Sequence, residues 1–389
     1  TWNGSFTNSG TFTANASNIT IGGTSATPSI AAFSTTGNTS FTRTSSTATL
    51  TGNISTADLT INGSGGTLNL GDGLEHAVSD DLTITAGTLD GGSSTLTVAG
   101  DWANSGTFTA SSSGVIFDNT PTNTATTVNL IPNAAGDSTA LTKSGLGGYN
   151  YDRVDDPVGS PDDSSTYVAT HHASALDLYN VPNQSLSGDI SSVAIYNRAV
   201  SEVPLARGKY QIAYKIGGTT YYYPSSAGSL TTSYADYSVT LTTNPATGAA
   251  WTWSDIDSLQ IGAYGVYIRD EVYFTQVYAV VSYSYDTAAT HAISGNTTFY
   301  DLSATSTTSA TLQFAASSTT AISHSLTIAG AAENLITLSS SSTGNQWTVS
   351  PGGTASVSYV DVSDSNNTGI SFCAAYSQST SGNNTNWQL

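Results

Sequence analysis

The heptapeptide Asn8-Ser-Gly-Thr-Phe-Thr-Ala14 recurs letter for letter as Asn104-Ser-Gly-Thr-Phe-Thr-Ala110. A shorter unit, Leu-Thr-Ile or Leu-Thr-Val, returns at Leu59, Leu82, Leu96 and Leu326, each time with a glycine soon after it. Repetition of this kind constrains the fold strongly, because each copy has the same apolar face to bury. Short strands that bury such a face against one another build a solenoid, a sandwich or a barrel. Strand-like pieces recur at 67–70, 82–85, 96–99 and 115–117, and again at 311–314, 326–329, 335–338, 347–349 and 357–362. Two strands per roughly 20–25 residues suit one coil of a parallel β-helix, with Leu, Ile, Val and Phe inside and Thr and Ser outside. The flanks of the chain are therefore expected to be β-solenoid, with small β-sandwiches as the alternative.

The middle of the chain differs. Eighteen of the 21 tyrosines lie between Tyr149 and Tyr285, and every basic residue except Arg43 lies between Lys143 and Arg269. These shifts divide the 389 residues into 1–142, 143–285 and 286–389, the first and third alike and the second inserted between them. Strands of the middle region are longer and more aromatic, as at 210–216, 219–223 and 272–285. Ile216-Gly-Gly-Thr219 reads as a two-residue hairpin connection, since glycine tolerates φ > 0. A short helical turn within 251–259 is expected, capped by Ser254. The region is expected to be an antiparallel jelly-roll-like sandwich, and the whole chain all-β.

Composition limits the function. Charged residues make up 9% of the chain, against about 25% in ordinary soluble proteins, so hydroxyls and amides keep the surface wet. The net charge of −19 argues against nucleic acid, whose phosphates need Lys and Arg, and against anionic lipid. It is compatible with divalent cations and neutral glycans. No apolar run approaches the roughly 20 residues of a membrane span. Cys373 stands alone, which precludes an intrachain disulfide and suggests a small core residue. The chain has no Met and begins at Thr1, as a mature exported product would. Sequons at Asn3, Asn15, Asn18, Asn38, Asn53, Asn62, Asn183 and Asn296 permit glycosylation in a secreted or cell-surface setting.

Two resemblances follow from particular residues. Thr243-Asn-Pro-Ala-Thr-Gly248, Trp251-Thr-Trp-Ser-Asp-Ile-Asp-Ser-Leu259 and Val272-Tyr-Phe-Thr-Gln-Val-Tyr278 resemble jelly-roll modules of phage structural and bacterial surface proteins. Tyr359-Val-Asp-Val-Ser-Asp-Ser-Asn366 and Asn383-Asn-Thr-Asn-Trp387 resemble Ser/Thr-rich repetitive bacterial surface proteins with β-helix character. These resemblances imply an exported or cell-surface protein and bring no catalytic residues with them.

The densest acidic stretch, Asp152, Asp155, Asp156, Asp162 and Asp163, lies in a Pro/Gly-broken loop. A flexible loop rich in carboxylates and carbonyls is what Ca²⁺ requires, so these five are the candidate structural calcium site. Asp361, Asp364 and Asn366 form a lesser candidate. Tyr221, Tyr223, Trp251 and Trp253 are candidates for stacking on a glycan, although alternate strand positions face a core. Trp2, Phe6 and Phe12 mark an alternating segment suited to strand addition onto a second copy. His171 and His172 are adjacent, so on a strand they point to opposite faces and read as loop histidines. The four Glu and the single basic residue of the flanks do not supply a glycosidase or lyase constellation.

These features predict a non-enzymatic extracellular protein that polymerises with copies of itself into a filament, sheath or surface layer. The alternative is an adhesin whose central sandwich binds carbohydrate.

Overall fold

The computed structural model describes every residue except 11, 25, 171–172, 203–207 and 267–270. The chain forms two compact units: Thr1–Thr122 with Thr287–Leu389, and Asn123–Asp286. Residues 123–142, which composition groups with the first flank, belong to the second unit and supply three of its strands.

The first unit is a parallel β-solenoid. Each coil gives one short strand to each of three faces. The first face stacks Ile19–Ile21, Thr39–Phe41, the start of Leu59–Asn69, the start of Leu82–Asp90, Trp102–Asn104, Ala289–Ser294, Ala310–Phe314, Ile336–Ser340 and Val360–Val362. The second runs through Thr47–Leu50, the ends of the two long strands and Thr107–Thr109, with the rungs Thr47↔Thr67 and Thr67↔Thr88. The third stacks Ile54–Thr56, Glu75–Val78, Thr95–Val98, Gly114–Asp118 and the ends of Thr297–Thr305 and Thr319–Ala329.

Alternation of side chains decides what the rungs bury. On the first face Leu59, Leu82, Trp102 and Ile293 stack inward in consecutive coils. On the third face Phe117 lies over Val98 on one side and Ala304 on the other. One outward column on that face is Ser34, Ser55, Ala77, Thr97, Ile116, Ser303, Thr327 and Ser356, without a charge, and the column beside it carries Glu75 and Asp301. The solenoid expected for the flanks is therefore present, as one continuous stack with three strands per coil.

Gly63 shows how closely the corners pack. A Cβ there would lie 1.8 Å from the carbonyl oxygen of Arg43 in the preceding coil, so only glycine lets the two backbones approach. Arg43 itself is fully buried and donates from Nη1 to the Gly22 carbonyl at 2.7 Å.

The second unit is antiparallel. One sheet orders Thr142–Lys143, Val168–Ala169, Val272–Thr287, Asp189–Ser201 and Ala235–Leu241. The other orders Ala134–Thr139, Ala175–Asn180, Gln260–Val266, Lys209–Ile216 and Thr219–Ser229. Val193, Ile195 and Val277 of the first share one apolar core with Ile212, Tyr214 and Ile261 of the second, as in a sandwich. The hairpin forms at Gly217 and Gly218, both with positive φ, and pairs Ile216 with Thr219. The short helix is Trp253–Ser258, and its cap is Thr252 rather than Ser254. Thr252 and Asp255 make a reciprocal capping box, which Asp255 decides by falling three residues after Thr252. Among the described residues no helix is long and apolar enough to cross a membrane.

Candidate functional site

The five aspartates of the acidic loop are not gathered around a common point. Asp163 pairs with Arg198, at 2.5 Å from Oδ1 to Nε. Asp162 accepts from the Thr166 N–H at 3.1 Å and from its hydroxyl. Asp156 accepts from the Asp162 N–H at 2.8 Å, and Asp152 from the Tyr149 N–H at 2.7 Å. Partial burial raises the carboxyls of Asp155 and Asp156, and neighbouring aspartates push the same way. The loop is held down by Gln276, whose amide donates to the carbonyls of Asp156 and Pro157, both at 2.9 Å. The carboxylates that a cation would need are thus bonded to the loop itself and to Arg198.

The lesser candidate is dispersed in the same way. Asp361 accepts from Thr380 N–H at 2.9 Å, Asp364 accepts from the Asn383 amide at 2.6 Å, and Asn366 pairs with Thr385. All three tie down the following coil.

The carboxylates that do converge lie at a corner of the solenoid. Asp58, Asp80 and Asp81 are the one group of three acidic, His or Cys residues, among those described, with ligand atoms all within 4.8 Å. The cause is a side-chain ladder. Asn18 accepts from Asn38 N–H at 2.9 Å, Asp58 from Asp81 N–H at 3.2 Å, Asp81 from Asp101 N–H at 2.7 Å and Asp101 from Ala292 N–H at 2.7 Å. In these four cases the residue just before a first-face strand caps the same position in the next coil. Burial raises the carboxyl of Asp80, and Asp81, Asp58 and Asp101 raise it further. Sequence reading missed this group, although Asn18, Asn38 and Asp58 recur at an even step just before strands.

The four proposed stacking residues do not form one platform. Trp251 is buried and donates from Nε1 to the Leu241 carbonyl at 3.2 Å. Trp253 is half-buried, donates to the Gly188 carbonyl at 3.1 Å and meets Tyr283 edge-on. Tyr221 stacks on Tyr214 toward the core, with centroids 5.5 Å apart. Only Tyr223 is exposed, beside the equally exposed Tyr222, on the edge strand Thr219–Ser229.

Trp2 and Phe6 are half-buried against the solenoid core and stack at 4.2 Å. They pair with Ile21 and Ile30, so they belong to a coil rather than to a free strand. Phe12 is exposed. Cys373, expected in a core, is exposed as well. His171 and His172 lie outside the described residues.

The architecture defines a class: a parallel β-solenoid with an antiparallel module spliced into one coil. No protein-family model matches the chain, and no curated protein does. Among solved structures it is similar to the enzymatically active domain of bacteriophage CBA120 tailspike protein 4, at 11% identity and a TM-score of 0.22. The match covers 70% of this chain and 43% of that one, so the chain spans less than half of its length. This finding corrects the expectation that the chain is not an enzyme, because the structure it resembles is an enzymatically active domain. A likeness this distant assigns no activity.

Proposed function

We propose that this chain belongs to an extracellular surface protein in which the solenoid is a stiff structural stalk that carries the inserted module, and that copies associate through uncharged strand edges. The observation that carries the association is the strand Thr219–Ser229. Among the described residues it pairs on one side only, with Lys209–Ile216, and it contains no charged residue. Edges of soluble sheets are ordinarily protected by Lys, by Pro or by brevity. Here Pro224 removes a single donor, and 219–223 keep an open edge with Tyr222 and Tyr223 exposed.

The stalk reading is supported by the ladder, which continues from Trp102–Asn104 to Ala289–Ser294 and from Gly114–Asp118 to Thr297–Thr305 across the splice. Low charge and an exterior of Ser and Thr columns support an exported setting.

The test is light scattering and negative-stain electron microscopy of the purified protein and of a Thr220→Lys/Tyr222→Lys variant. Oligomers or fibres from the wild type, with monomers from the variant, support the reading. A wild type that stays monomeric up to the highest soluble concentration rejects it.

A further inference from the structure

We propose, resting on the reading that copies associate through uncharged strand edges, that the interface is a closed antiparallel pair: segment 219–223 of one copy against the same segment of a second, about a two-fold axis at Tyr221.

The hairpin sets which backbone groups are free to make it. Gly217 and Gly218 form a two-residue turn, so Ile216 and Thr219 exchange backbone bonds and the bonding then alternates along the strand. Thr219, Tyr221 and Tyr223 turn their N–H and C=O groups inward, toward Ile216, Tyr214 and Ile212. Thr220 and Tyr222 turn theirs outward, where no strand pairs with them among the described residues.

Self-pairing is then a question of register. With the axis at Tyr221, Thr220 lies opposite the second copy's Tyr222, and each such pair exchanges both bonds, so every outward N–H of the two segments is satisfied. An axis at Tyr222 sets Thr220 opposite Pro224. Pro224 has no N–H, and its carbonyl already accepts from the Gln211 amide at 2.7 Å. An axis at Thr220 sets Tyr222 opposite Gly218, inside the turn. An axis between two residues opposes outward groups to inward ones.

The same register suits the side chains. Tyr222, 40% exposed, gains the second copy's Thr220 on the face where it already meets Tyr264. On the opposite face Tyr221, stacked on Tyr214 and bonded through its hydroxyl to the Pro245 carbonyl at 3.2 Å, meets its own counterpart. No charged residue enters the joint.

The opposite edge of this sheet explains why the pair closes. Ala134–Thr139 carries Asp137, which pairs with Lys215, and its register with Ala175–Asn180 shifts between Ala135 and Thr139. A charge and a bulge protect an edge. Joining Thr219–Ser229 to that strand by translation would also be parallel, in a sheet whose pairings are all antiparallel. An edge that meets itself closes at two copies, whereas unlike edges build an open filament.

Disulfide trapping on the full chain tests the proposal, in a Cys373→Ser background because Cys373 is exposed. Opposed residues that share no backbone bonds have Cα atoms about 4.5 Å apart, within reach of a disulfide. Tyr221→Cys alone should therefore oxidise to a covalent dimer, and Tyr223→Cys alone should not, since its counterpart is Thr219. Thr220→Cys and Tyr222→Cys should cross-link when mixed and not separately, which keeps the test decisive if circular dichroism shows Tyr221→Cys unfolded. Light scattering should give the mass of two chains. A chain that stays monomeric and uncross-linked at its highest soluble concentration defeats the edge reading and this inference together. Oligomers that Thr220→Lys/Tyr222→Lys abolishes, but in which neither Tyr221→Cys nor the mixture cross-links, leave the edge reading standing and overturn the two-fold pair. Self-linking of Tyr222→Cys overturns it as well, because it marks the other axis.

Discussion

His76 stitches two coils of the solenoid together, and its removal tests how the interior tolerates polarity. The ring is 2% exposed. Nδ1 accepts from the Ile54 N–H at 3.2 Å, and Nε2 bonds the Leu70 carbonyl at 2.8 Å. Only the neutral ring with its proton on Nε2 makes both bonds. In His76→Leu the buried Ile54 N–H loses its partner, at about 1–3 kcal/mol, and Leu70 loses one bond, worth about 1 kcal/mol. Leu70 keeps Ser94, whose hydroxyl donates to the same carbonyl at 3.2 Å. The expected loss is therefore about 2–4 kcal/mol, or about 1 M in the urea midpoint at a slope near 3 kcal/mol/M.

The pH dependence is a stricter check. Burial lowers the pKa of His76, with the Leu70 carbonyl pulling the other way. A group whose folded pKa is depressed contributes stability that is present above its unfolded value, near 6.5, and is lost as pH falls through the folded value. The gap between wild type and His76→Leu should thus narrow from pH 7.5 toward pH 5. Urea titrations at several pH values measure it, and hydrogen exchange at the Ile54 amide localises it. A gap independent of pH, or one below about 0.5 kcal/mol at pH 7.5, refutes the reasoning.

Three further outcomes are expected. Asp177, wholly buried in the module, accepts from Leu141 N–H at 2.7 Å, the Asn150 amide at 2.6 Å and the Tyr179 hydroxyl at 2.9 Å. Asp177→Ala leaves three donors unpaired and should cost about 3 kcal/mol or more in urea unfolding; because burial raises its folded pKa, the wild type should also lose stability as pH rises from the unfolded value near 4, a slope the variant lacks. Gly63→Ala should lower the melting temperature far more than the roughly 1 kcal/mol of a glycine propensity change, because its Cβ meets the Arg43 backbone. Replacing 123–286 by two glycines should leave a cooperatively melting solenoid by circular dichroism, since the Asn123 amide already meets Asp286 at 2.8 Å and the ladder spans the splice.

Much of the fold was legible in the sequence because it is set by local pattern. The Leu-Thr-Ile units became rungs of the stack at Leu59, Leu82, Leu96 and Leu326. Gly217 and Gly218 turn the hairpin as their φ freedom allows. The density of carboxylates in the acidic loop is legible in the sequence and their partners are not: Arg198 and Gln276 reach the loop from strands far along the chain. For Trp251 and Trp253 the sequence leaves stacking on a glycan and packing in a core both open, and it is the module's core that takes up Trp251 and packs against Trp253.

The sequence by itself determined that the chain is all-β, that its flanks repeat and that little charge covers them, since strand period, turn residues and composition act over a few neighbours. Only the tertiary structure decided which strand is an edge and which corner side chains meet. Thr219–Ser229 is open because its sheet ends there, and Asp58 meets Asp81 because each coil advances the chain by one rung. Those are properties of register and stacking order: the even step from Asn18 through Asn38 to Asp58 marks the corner, but the longer coil that follows shifts it to Asp81, and only the stacking shows that these side chains meet.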